Sequence, residues 1–133
     1  MKYLLDTNIC INFINGTSDK VREKLKSIPF SDIVLCSIVK AELYYGVSKS
    51  KRRTDNLNKL SEFFSFFDSY NFDDNCSSVY GEIRADLEVK GSIIGPYDML
   101  IASICIANNL ILVTNNISEF SRVKELRYED WTE

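Results

Sequence analysis

A three-layer α/β sandwich around a central, mostly parallel sheet of four to five strands is the fold class this sequence predicts. The short apolar runs Tyr3-Leu4-Leu5, Ile33-Val34-Leu35-Cys36 and Leu110-Ile111-Leu112-Val113 lack alternation, as strands covered on both faces do. Segments of helical periodicity separate them, and that order calls for parallel pairing through crossover helices. A length of 133 residues suits one domain with a real core, spanning 1–133, and is too short for two.

The elements follow in order. After the first strand, Asp6 to Asn8 are capping residues, and the Ile9, Phe13 spacing predicts a helix. Ser18-Asp19 caps a second helix with Val21, Leu25 and Ile28 on one face, stopped by Pro29. Ser37 follows the second strand as the expected cap of a helix running to Gly46 or Ser50. Leu57, Leu60, Phe63, Phe64 and Phe67 mark another helix, and Tyr70-Asn71-Phe72 is read as a third strand. The next helix carries Cys76, Val79, Tyr80, Ile83 and Leu87, with Gly91 as its C-terminal stop. Gly95-Pro96 opens a helix that is apolar on nearly every face from Met99 to Ala107. Leu126-Arg127-Tyr128 is read as a fifth strand after the one at Leu110–Val113.

Composition closes several routes. The chain has no histidine, which excludes a Ser-His-Asp triad, a Cys-His pair and a histidine-ligated zinc site. The four cysteines, Cys10, Cys36, Cys76 and Cys105, lie in apolar contexts with no Cys-x-x-Cys, as buried free thiols do. Asp6 interrupts the N-terminal apolar run, so no signal peptide fits. No stretch approaches the ~18 apolar residues of a membrane span, and a cytoplasmic location is expected. Neither a Walker-type nor a dinucleotide-type glycine loop occurs. The net charge of −3 argues against broad nucleic-acid binding unless some of the acids hold divalent metal.

Four acidic or amide positions stand at the edges of apolar runs: Asp6, Glu42, Asp98, and Asn115-Asn116 with Glu119 just after. Each has an ordinary reading. Asp6 suits a helix cap, Glu42 an exposed helix position, Asp98 a helix-dipole contact, Asn115-Asn116 a turn and Glu119 surface charge. Against these, Glu42 falls on the stripe of Ile38 and Tyr45, and Asp98 opens an all-apolar helix. Asp6 and Asn115-Asn116 follow strands, and the Glu42 helix begins after another. Ligand sites in parallel sheets form past such carboxyl ends. Carboxylates beside a core are costly unless paired, and the common partner of several converging ones is Mg²⁺ or Mn²⁺.

These residues resemble the PIN-domain nucleases, and within them the VapC-type toxins of bacterial toxin–antitoxin pairs. The resemblance is carried by Tyr3-Leu4-Leu5-Asp6-Thr7-Asn8, the Ser37–Gly46 segment with Ala41-Glu42-Leu43, and Ile83-Arg84-Ala85-Asp86-Leu87-Glu88 with Lys90-Gly91. It continues through Ile94-Gly95-Pro96-Tyr97-Asp98-Met99-Leu100-Ile101-Ala102, Val113-Thr114-Asn115-Asn116, Glu119-Phe120 and Glu129-Asp130-Trp131.

The resemblance implies a PIN-like three-layer sandwich and a Mg²⁺-dependent endoribonuclease, with Mn²⁺ as the other metal. It implies in-line, metal-assisted hydrolysis of RNA phosphodiesters. Asp6, Glu42 and Asp98 match the family's metal-binding acids. Asn116 stands near the fourth acidic position, where many members carry Asp, and Glu119 is the candidate to supply the missing carboxylate. The expected target is tRNA, with the anticodon region of initiator tRNA foremost. The expected partners are a VapB-type antitoxin, reaching the acids with a basic side chain, and a second toxin copy in a homodimer. Two other classes remain at this point. The departure at Asn116 is what a non-catalytic PIN module binding RNA or protein would show. A small-molecule phosphatase would need a second loop aspartate where Asn8 stands.

Overall fold

The computed structural model describes residues 1–133. Its elements are β1 (Tyr3–Leu5), α1 (Thr7–Asn15), α2 (Asp19–Lys26), a 3-10 turn (Phe30–Asp32), β2 (Ile33–Cys36), α3 (Ser37–Ser48) and α4 (Arg53–Phe64). They continue as β3 (Asp68–Tyr70), α5 (Asp74–Val89), α6 (Pro96–Ala107), β4 (Ile111–Val113), α7 (Ile117–Phe120) and β5 (Tyr128–Glu129). The strands form one sheet in the order β3-β2-β1-β4-β5, and every pairing is parallel. The expected PIN-like sandwich with a five-strand sheet is what the chain forms.

The order places β1 at the centre. The chain steps outward from it twice, to β2 and β3, then returns to the other side for β4 and β5. The reversal falls between β1 and β4, whose register pairs Tyr3 with Ile111 and Leu5 with Val113. A crevice opens beyond the carboxyl ends of the two strands that straddle such a reversal. Helices α1 to α4 pack on one another, α5 packs on α6, and α3 also meets α6.

A single cluster of 31 buried apolar residues runs from Leu4 to Trp131, so the layers share one core. Helix α6 buries Met99, Ile101, Ala102, Ile104 and Cys105 together with Ser103. Ser103 is tolerated there because its hydroxyl donates to the Met99 carbonyl at 2.6 Å. All four cysteines are free and buried. No helix is long and apolar enough to cross a membrane.

Helix ends follow local chemistry. Ser18 caps α2 by accepting the Val21 N–H at 3.3 Å, and Asp73 caps α5 by accepting that of Cys76 at 3.0 Å. Helix α5 closes in a paired turn: Gly91, at φ +66°, donates to Glu88 O and Ser92 donates to Leu87 O. Helix α6 closes the same way with Asn109 at φ +56°, donating to Ile106 O while Leu110 donates to Cys105 O. Asparagine is the residue after glycine that best tolerates this conformation.

Several expectations from the sequence are corrected. The third strand is Asp68–Tyr70, not Tyr70–Phe72, because Val34 pairs with Asp68 and Cys36 with Tyr70. It is an edge strand joined by its backbone, so its first residues are polar and exposed. The fifth strand starts at Tyr128, and Leu126 is a buried side chain just before it. Ser37 is the first residue of α3 and not its cap. Its hydroxyl turns to Asn71 Oδ1 at 2.9 Å and ties the ends of β2 and β3 together. Thr7 and Asn8 lie inside α1, so Asp6 alone caps it. The helix over Leu57–Phe67 begins at Arg53 and stops at Phe64, and a short α7 appears where only a turn was read.

Candidate active site

Asp6 is the first residue beyond β1. Its N–H donates to Val113 O at 2.9 Å, extending the β1–β4 ladder by one step and fixing where the side chain stands. The carboxylate is 7% exposed. Oδ1 accepts the Thr7 N–H at 2.8 Å and Oδ2 accepts the Thr114 hydroxyl at 2.8 Å. Burial pushes its carboxyl above the ordinary aspartate value, and these two donors pull it part of the way back. Thr114, itself buried, is held by the Asn116 N–H donating to its Oγ1 at 3.0 Å.

Glu42 lies in the second turn of α3. Its Oε1 accepts the Thr7 hydroxyl at 3.0 Å. The side chain is half-buried, and desolvation raises its carboxyl, with the Asp6 charge adding to the rise. Ile38 is half-buried on the same side, while Tyr45 is 66% exposed, so the stripe leaves the core after Glu42.

Asp98 opens α6 behind Pro96 at the first helical position. The positive end of a helix would lower its carboxyl. Other effects win: burial first, then Glu119, with the charges of Asp6 and Glu42, push it up to about 8. Glu119, near the start of α7, moves the opposite way because Asp98 and Asn116 donate to it. The two carboxyls titrate as a pair, with Asp98 shifted up and Glu119 shifted down.

Asn116 connects them. Its Nδ2 stands 2.9 Å from Glu119 Oε2 and 3.4 Å from Asp98 Oδ2. The ionised Glu119 carboxylate only accepts, so the NH₂ side of the amide faces it. Its carbonyl accepts the Ser118 hydroxyl at 3.5 Å instead. Asn115 and Asn8 are exposed.

Asp6, Glu42, Asp98, Asn116 and Glu119 thus belong to one connected group, joined by hydrogen bonds and by mutual charge effects. Thr7 and Thr114 are the joints that sequence reasoning passed over. The available signal was position: Thr114 directly follows the end of β4, and Thr7 directly follows the carboxylate that it helps to satisfy. No three carboxyl or thiol groups stand at the spacing of a preformed ligand cage. The acids interact across the crevice as like charges, and none of the four is in an ion pair with a lysine or arginine.

A PIN domain family model matches residues 3–126. Ribonuclease VapC2 of Rickettsia felis is 48% identical over 98% of each chain. The tRNA(fMet)-specific endonuclease VapC of Salmonella typhimurium is 37% identical, again over 98% of each. Among solved structures, VapBC2 from Rickettsia felis bound to a DNA fragment from its promoter superposes with a TM-score of 0.92, covering 98% of this chain and 99% of that one. VapBC-1 from nontypeable Haemophilus influenzae reaches 0.90 at 27% identity over the full length of both chains. The parallel sheet, the acids past its switch point and these matches along nearly the whole chain have one common meaning: this chain belongs to the PIN domain family, as a VapC-type toxin of a toxin–antitoxin pair.

Proposed function

We propose that this toxin is a divalent-metal-dependent endoribonuclease in which Asp6, Glu42 and Asp98 hold Mg²⁺ or Mn²⁺, and Asn116 and Glu119 complete the catalytic set. The observation that carries the proposal is the gathering of four carboxylates at the β1/β4 crevice with no cationic side chain paired to any of them. Like charges held this way raise one another's pKa, and a doubly positive ion relieves them. Oxygen-only donors without histidine suit a hard cation.

Bound there, the ion supplies Lewis-acid stabilisation of charge developing on a scissile phosphate. The protein's own groups do the rest. Asp6 is pinned by Thr7 and Thr114, so one carboxylate presents fixed lone pairs. Thr7 sets Glu42 relative to Asp6 through one residue, its N–H on Asp6 and its hydroxyl on Glu42. Asn116 holds Asp98 and Glu119 side by side, where a bound cation would offset their mutual repulsion. Glu119 then serves as the fourth acid at a place where Asn116 brings no charge of its own.

The substrate we propose is tRNA, with the anticodon region of initiator tRNA foremost, in keeping with the activity named for the Salmonella relative. A VapB-type antitoxin is the proposed inhibitor, and its basic side chain would be the natural counter-ion to the acids. The VapBC structures of the relatives support that pairing, and we propose a toxin homodimer within the complex. The whole chain, 1–133, is proposed to act as one cytoplasmic nuclease domain.

The test is incubation of purified protein with tRNA in Mg²⁺ or Mn²⁺. Cleavage that stops with EDTA and in Asp98→Asn is expected. No cleavage in either metal, or equal cleavage by Asp98→Asn, overturns the proposal. RNA binding that EDTA leaves intact, without products, would point to a non-catalytic module.

A further inference from the structure

The turn between α3 and α4 packs four cations into five residues: Lys49, Lys51, Arg52 and Arg53 around Ser50. All four are exposed, and none is in an ion pair. In a chain of net charge −3 this is the densest run of positive charge.

Lys49 suits the C-terminal end of α3, but the position of Arg52 and Arg53 is unfavourable for the fold. Arg52 is the N-cap of α4 and makes no capping bond, and Arg53 is the first helical residue. Cations at the positive end of a helix are destabilising, typically by a few tenths of a kcal/mol each. Asp55 in the first turn offsets only part of this. The turn itself is built and not loose: the Ser50 hydroxyl donates to Val47 O at 2.7 Å and accepts Asn56 Nδ2 at 3.0 Å. A local rule is broken on a well-held turn, which is the pattern expected where function sets the residues.

The turn also lines up with the acids. Residues three and seven positions along a helix share a face, so Glu42, Tyr45 and Lys49 form one stripe on α3. At 1.5 Å per residue, Lys49 lies about 10 Å along the helix from Glu42, on the order of three nucleotides of a strand. Tyr45 stands between them, 66% exposed, with the Lys49 ammonium 4.8 Å from its ring centre. An exposed ring flanked by cations is the usual means of binding single-stranded nucleic acid.

From this we infer that Tyr45, Lys49, Lys51, Arg52 and Arg53 form an RNA-strand track leading away from the acidic crevice, with the ring stacking a base and the cations holding phosphates. The inference rests on the nuclease reading and adds to it where the strand runs.

The experiment measures binding of a fluorescein-labelled tRNA by anisotropy across a salt series, in an Asp98→Asn background, beside cleavage kinetics in the active background. Lys51→Gln/Arg52→Gln/Arg53→Gln should weaken binding on the order of tenfold and lower the slope of log affinity against log salt by about 2. It should raise KM and leave kcat at saturating RNA unchanged. Its melting temperature should match or exceed that of the parent, because unfavourable charge leaves the α4 terminus. If the triple variant melts lower, Arg52→Gln alone is read, with a slope change of about 0.7. Tyr45→Leu should weaken binding about tenfold, and Tyr45→Phe should restore it.

Unchanged affinity and slope in a protein that still cuts tRNA overturn the track and leave the nuclease reading standing. Unchanged RNA binding with weakened antitoxin binding assigns the turn to the protein partner and also overturns it. A parent protein that neither binds nor cuts RNA defeats both.

Discussion

Asp6 and Asp98 stand at the two sides of one crevice, and the protein treats them in opposite ways. Asp6 is buried but fed by two donors, the Thr7 N–H and the Thr114 hydroxyl. Asp98 is desolvated and faces a second carboxyl, so its pKa is pushed up to about 8. One side is satisfied by the fold; the other is left facing like charge. Rigidity and unmet charge are thus supplied by different residues, and substitutions on the two sides should separate them.

The largest effect is expected at Asp98. Asp98→Asn should lower RNA cleavage on the order of a hundred- to a thousandfold. It should also raise the melting temperature measured in EDTA, because a like-charge contact is gone. A variant that loses stability along with activity would show that Asp98 belongs to the scaffold.

Asp6→Ala should do the reverse to stability. It removes the α1 cap and leaves the buried Thr114 hydroxyl without its acceptor, a loss of about 2–3 kcal/mol by denaturant titration. Cleavage should be lost as well. Unchanged stability would mean that the Thr114 bond contributes nothing to the fold.

The pH dependence sharpens the contrast. A carboxyl whose folded pKa is raised binds a proton that the unfolded chain has already released. Stability of the metal-free protein should therefore fall as pH rises from the ordinary aspartate range, near 4, through about 8. Asp6 and Glu42 are raised too and carry the same sign, while the lowered Glu119 opposes them at the acid end. Denaturation in EDTA at several pH values checks this, and Asp98→Asn should flatten most of the slope. Saturating Mn²⁺ should restore stability most at the alkaline end.

The smallest change is expected at Thr7. Thr7→Val removes only the hydroxyl on Glu42 and keeps the backbone donor on Asp6. A stability loss of about 0.5–1.5 kcal/mol is expected. Cleavage should fall far less than in Asp98→Asn, and an equal fall would make Thr7 part of the chemistry.

Much of this was legible from residues alone because a carboxylate at the edge of an apolar run is conspicuous. Asp6, Glu42 and Asp98 each break such a run, and strand-end placement drew them toward one crevice. Thr7 and Thr114 were not legible: a threonine is at home in helices, strands and loops, and what Thr114 touches lies 108 residues away. Asn116 was singled out, but the direction of its amide was not legible, since that is dictated by the acids that surround it. The strand at Asp68–Tyr70 escaped for a different reason. An edge strand is recruited by backbone pairing with Val34 to Cys36, so its side chains carry no pattern to read.

The central position of β1 has a consequence for the birth of the protein. Leu5 pairs with Val113, and the Asp6 carboxylate is completed by Thr114, so the first strand to leave the ribosome waits for one of the last. At ordinary synthesis speeds that wait is about 5–20 s. Throughout it the nascent polypeptide lacks the acidic crevice that β1 and β4 build together.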